Sequence, residues 1–243
     1  MTPFSARSNA MPPPSTNTPA YTIKSRIIHA NKVVIPTQRY DLKPPRGLVA
    51  DDLRMPNFVK PQEMMALLTD TPNYNPSRLA ITHGLVKTEF AFVFPAIDEQ
   101  WRRAAGPQNR ITRQFQGGDV FAQATIAVHV LHADRPLEKN KLSEKLFVVI
   151  WEHELLHVLD DIEIMRDWLP EKVRDDEWVK KYMTEARELD ESSFDHYIRK
   201  DKLTPWLRDG FWQEERNRRA AIRDAPARYA ELNEAIANIR SRM

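Results

Sequence analysis

The stretch FVVIWEHELLHVLDDIEIM, Phe147 to Met165, decides how this chain is read. Its apolar residues fall largely all round a helical wheel, and no Gly or Pro stands between Lys139 and Leu169. That pattern predicts a buried helix of roughly 25 residues. Asn140 and Ser143 are suited to cap its start, Glu144 suits the positive end of the helix dipole, and Pro170 marks the expected stop.

Within this helix His153 and His157 stand four residues apart, hence one turn apart on one face. Two neutral imidazoles so placed can both reach one metal ion. Glu154 lies beside the first, where it can take a proton from water. A carboxylate on an apolar helix is costly unless it is paired or near a metal. With seven histidines in the chain, the pentad arises by chance in roughly one such sequence in a hundred, so its helical setting carries weight.

The pentad His153-Glu154-Leu155-Leu156-His157 resembles that of the HExxH zinc metallopeptidases, the zincin superfamily. The resemblance covers the motif helix and the segments flanking it. It implies a bound Zn2+ with His153 and His157 as ligands, Glu154 as general base, and a peptide or protein substrate. The extended metzincin pattern is disfavoured, because Asp160 and Glu163 occupy the positions where that form needs a Gly and a further His or Asp. The gluzincin form takes a Glu from a following helix, and a suitable helix is expected between Glu171 and Lys200.

There Trp178, Tyr182, Glu185 and Leu189 fall at helical spacing, which leaves Glu185 as a carboxylate on a mostly apolar face. Glu185 is the first choice for the third ligand, with Glu188, Glu191 and His196 as alternatives. Asp160 or Asp161 is expected to accept the free N–H of a ligand imidazole and fix its tautomer. Tyr182, Tyr197 or His196 is available to stabilise an oxyanion.

Upstream, Val120 to His132 (VFAQATIAVHVLH) is the best strand, bounded by Gly117-Gly118 and by Asp134-Arg135-Pro136. The resemblance implies an edge strand just before the motif helix that binds substrate as an added strand. His129 and His132 read as structural or surface residues, because a spacing of three points them to opposite faces.

The expected fold is thus α+β and zincin-like: a small β-sheet with its edge strand before a buried HExxH helix, and a helical C-terminal half. Twelve of the 18 prolines fall in the first 76 residues. Residues 1–20 form a Pro/Ser/Thr-rich arm too poor in apolar residues to pack. Residues 21–135 read as an irregular, β-containing part, with short strands in Tyr21–Ile35, a short helix in Gln62–Leu68, an apolar run of ambiguous period in Ala80–Phe94 and a helix in Ile97–Ala105. Residues 136–243 read as the helical part carrying the metal site, and 21–243 as one compact unit.

With 36 basic and 34 acidic residues, composition offers no argument for nucleic acid. The Arg/Glu-rich run Arg208–Arg242 reads as solvated helices docked by Trp206, Phe211 and Trp212. No cysteine is present, so neither a disulfide framework nor a thiolate metal site exists. No apolar segment approaches the ~20 residues of a membrane span, and no signal-peptide core is visible, so the default expectation is cytoplasmic, with leaderless export as an alternative.

Two other functions compete. A carboxylate-bridged di-metal oxidase would use Glu154-Leu155-Leu156-His157, yet it needs a second Glu-x-x-His that this chain lacks. A non-enzymatic component of a larger assembly would make the motif coincidental or inactive.

Overall fold

A computed structural model describes residues 21–35, 37–70, 82–93, 101–105, 110–115, 117–174, 176–177, 179–180, 187–190 and 204–243. The arm of residues 1–20 lies outside them. The principal sheet is mixed and contains β1 (Tyr21–His29), β2 (Asn57–Val59), β3 (Gly84–Val93) and β6 (Gly118–Leu131). A second, antiparallel sheet joins β4 (Trp101–Ala105), β5 (Arg110–Phe115) and β7 (Arg187–Asp190). The longer helices are α1 (Pro61–Thr69), α2 (Lys141–Glu163), α3 (Leu169–Arg174), α4 (Gln213–Arg223), entered directly from a π-helical turn at Leu207–Trp212, and α5 (Pro226–Arg240).

The strand read in Val120–His132 exists as β6, but it lies at the centre of its sheet and not at the edge. Along one side it pairs in parallel with β1, from Tyr21↔Gly118 to His29↔Ile126, and with β2. Along the other it pairs antiparallel with β3, from Gly84↔Val130 to Val93↔Phe121. Its alternate residues Val120, Ala122, Ala124, Ile126, Val128 and Val130 are all buried, the pattern of one strand face on a core. Asn31 bridges the gap between β1 and β2, donating to the Val128 carbonyl at 3.1 Å and accepting from its N–H at 2.8 Å. Among the described residues, β3 lies next to α2 and pairs with no strand besides β6.

Helix α2 starts where its cap residues require. The Asn140 side chain accepts from the backbone N–H groups of Leu142 and Ser143, both at 3.1 Å, and Glu144 sits in the first turn. No residue between Leu146 and Met165 is fully exposed, as the unbroken apolar pattern requires. Trp151 stacks on Phe147 at 5.6 Å between ring centroids, and Phe147 meets Tyr40 edge-on at 5.5 Å.

Three sequence expectations change. Pro170 does not end the helix: a π-helical turn at Ile164–Trp168 precedes it, and α3 continues to Arg174. The wider turn absorbs the hydrogen bond that proline cannot make. Residues 101–105, expected to be helical, form β4, where pairing with β5 overrides a short and ambiguous local pattern. The C-terminal half is not wholly helical, since β7 crosses back to pair with β5. The docking role of the C-terminal aromatics is borne out at Trp212, which is 2% exposed and stacks on Phe90 at 5.9 Å. No helix of the described residues is long and apolar enough to cross a membrane.

Candidate metal centre

One face of α2 turns His153 and His157 to the same place, with their rings edge to face and 5.1 Å apart. Asp224, at the end of α4, meets them there. Its Oδ1 lies 3.1 Å from His157 Nε2 and 3.4 Å from His153 Nε2. The three ligand atoms all lie within 4.8 Å of one another, the one such group of three among the described residues. All three side chains are at most 16% exposed. Tyr229 on α5 stands edge-on to His153, 5.7 Å between ring centroids.

The electrostatics follow from this crowding. Burial alone would lower the His157 pKa, but the Asp224 hydrogen bond and the Glu154 charge outweigh it and hold the imidazole above its ordinary value. Burial works against the Asp224 carboxylate too, yet hydrogen bonds from His153 and His157 hold it well below the usual carboxylate range. The Glu154 carboxyl is pushed up by burial, with both imidazoles opposing and Asp224 adding to the effect. Two imidazoles drawn around one anionic oxygen are an arrangement that a divalent cation can replace proton for metal.

Glu154 is 5% exposed and rests against the start of β3. A Cβ at Gly84 would come within 2.5 Å of Glu154 Oε1, so only glycine lets strand and carboxylate approach this closely. The outer edge of β3 has a definite polarity. Val128 commits its N–H and C=O to Asn31, so its cross-strand partner Val86 turns its own groups to the outer edge. Gly84, two residues back, faces the same way. At Val86 that edge is capped, because Arg216 Nη2 donates to its carbonyl at 2.8 Å.

Just before Gly84, His83 Nδ1 lies 2.8 Å from Asp134 Oδ2, and the other Asp134 oxygen accepts from Arg240 at 2.5 Å. Burial would raise the Asp134 pKa, but these two partners bring it below its ordinary value.

Asp160 and Asp161 do not serve the two imidazoles as expected. Asp160 accepts a two-pronged contact from Arg223 at 2.8 and 3.0 Å. Asp161 accepts from Arg216 at 2.8 Å and from Thr88 at 2.5 Å. Three and four residues beyond His157, their side chains face α4 and β3, not the ring. The Arg-rich C-terminal run is correspondingly not a purely solvated helix pair, because Arg216, Arg219 and Arg223 all bind carboxylates of α2.

Glu185, the first choice for the third ligand, lies outside the described residues, as do Glu191, His196, Tyr182 and Tyr197. Glu188 falls in β7, a strand and not the helix expected there. Among the described residues the carboxylate that meets the two imidazoles is Asp224, which sequence reasoning missed. Its only local signal is an Asp two residues before Pro226, where one helix ends and another begins. The chain matches no protein-family model, no curated protein and no solved structure.

Proposed function

We propose that the protein is a zinc-dependent peptidase with His153, His157 and Asp224 as metal ligands and Glu154 as general base. The carrying observation is the convergence of two imidazole Nε2 atoms and one carboxylate oxygen beside a buried glutamate. Two nitrogens and one oxygen from three side chains suit zinc in a site that keeps its fourth position open. When bound, zinc supplies Lewis acidity that brings the pKa of a water to about 7 and polarises a carbonyl.

The chain's own residues do the rest. Glu154, whose carboxyl burial pushes up, has a basicity better matched to neutral pH than an exposed glutamate. It accepts a proton from the attacking water as the new C–O bond forms. It then returns that proton to the amide nitrogen as the C–N bond breaks. The backbone groups of Gly84 turn to the outer edge of β3 directly beside Glu154, where an extended peptide would pair, although the residue itself is buried. Arg216 limits that pairing by occupying the Val86 carbonyl.

Metal analysis of the purified protein, combined with peptide-cleavage assays, tests this. About one zinc per chain is expected, lost in His157→Ala and retained in Glu154→Gln. Glu154→Gln should lower turnover about a hundredfold or more, the usual contribution of a general base. Peptide cleavage unchanged in Glu154→Gln, or a chain that binds no zinc, overturns the proposal.

A further inference from the structure

We infer that Arg223 and Asp160 are positioning residues for the metal centre: their contact delivers Asp224 to the two imidazoles, so that docking of α4 and binding of metal are one coupled equilibrium. The inference rests on the metal-centre reading of the site.

Two consecutive residues at the end of α4 engage two residues one turn apart on α2. Arg223 grips Asp160 through Nε and Nη2, and Asp224 reaches His157, three residues before Asp160. A bidentate fork on a carboxylate fixes direction as well as distance. Once Arg223 is seated, the adjoining Asp224 has little freedom left.

The remainder of α4 shows why this contact matters. Helix α4 buries no apolar side chain, its one buried residue being Glu215. Beyond Trp212, which anchors the preceding turn on Phe90, what holds it against α2 is a comb of charges at positions 216, 219 and 223 of one helical face. Arg216 binds Asp161, Arg219 binds Glu163 at 2.6 Å, and Arg223 binds Asp160. Asp160 is 4% exposed and Asp161 1%. Buried pairs of this kind add little stability over an apolar packing, but they do specify geometry. That geometry sets the third ligand in place. Coupling is reciprocal, so a metal that binds Asp224 must also strengthen the docking of α4.

The test uses the full chain and measures zinc affinity by chelator competition, with cobalt absorption as a reporter of coordination. Arg223→Met and the isosteric Asp160→Asn should each weaken zinc binding roughly ten- to a hundredfold, the usual effect of losing a group that orients a ligand. Their cobalt spectra should shift as a carboxylate leaves, with far-UV dichroism unchanged. Arg228→Met, at an exposed position of α5, should bind as wild type. Should Arg223→Met fail to fold, Asp160→Asn carries the same readout. Wild-type affinity and wild-type cobalt spectra in a folded Asp160→Asn overturn the inference. If the wild-type chain binds no metal, the metal-centre reading fails by itself. The positioning is then read from the His157 ring nitrogen shifts: movement in Asp160→Asn supports it, and no movement overturns it.

Discussion

Helices α2 and α4 both carry metal-ligand candidates, yet they are held by different forces. Helix α2 buries Phe147, Ile150, Trp151, Leu155, Val158 and Ile162 against β6 and its neighbours. Helix α4 buries no apolar side chain between Gln213 and Arg223; Trp212 anchors its entry on Phe90, and the rest attaches through Arg216, Arg219 and Arg223. Non-directional burial makes α2 a stable platform that tolerates some variation in detail. Directional ion pairing makes α4 exact in placement and sensitive to any change in charge. The site therefore combines a rigid pair of imidazoles with a carboxylate whose attachment can be loosened.

The largest expected effect lies on α2. Trp151 is fully buried, and Trp151→Ala should cost about 3–5 kcal/mol in urea unfolding, the usual range for deleting a large core ring. Removing an arginine fork from α4 should cost the fold far less than it costs metal binding. Equal losses of stability from the two helices would end the distinction between them.

A smaller effect is expected where α2 meets β3. The methyl group of Gly84→Ala would sit 2.5 Å from Glu154 Oε1, forcing the carboxylate or the strand to move. Overpacking of this kind costs about 1–3 kcal/mol, read in thermal unfolding, and turnover should fall with it while zinc content is kept. A variant with unchanged stability and activity would show that the close approach is not required.

The smallest effect separates the helices by pH. Arg218 holds the Glu215 carboxyl down from 4.5 to about 2 against the effect of burial, with Arg219 assisting. Because the folded value lies below the unfolded one, this contribution to stability is present in full above pH 4.5 and is lost as the pH falls toward 2. Hydrogen exchange followed through that window should show α4 loosening before α2. Simultaneous opening of both would mean that charge is not what distinguishes α4.

How much of this was legible depends on what each residue needs nearby. The pentad, the Asn140 cap, the burial of α2 and the strand in β6 all follow from local spacing and propensity. Pairing is a different matter. Nothing in Val120–His132 says whether it has one neighbour or two, and β1, β2 and β3 come from segments far away in sequence. Short segments misled for the same reason, since residues 101–105 became a strand only through β5.

At the site, the two imidazoles and Glu154 were readable because one helix turn sets their geometry. Asp160 and Asp161 had the right spacing to orient His157 but were claimed by arginines 55 to 63 residues away. Asp224 was hidden in a run of Arg and Glu whose charges look solvated when read along the chain.

By itself, then, the amino-acid sequence determined the face of α2 that carries His153 and His157 and the apolar packing that buries it, because both depend on a period of 3.6 residues. Only the tertiary structure decided which carboxylate joins His153 and His157, which strand presents an edge to Glu154, and what Asp160 and Asp161 hold. Those choices rest on contacts between segments distant in the chain, where charge pairing and strand register, not local periodicity, select the partner.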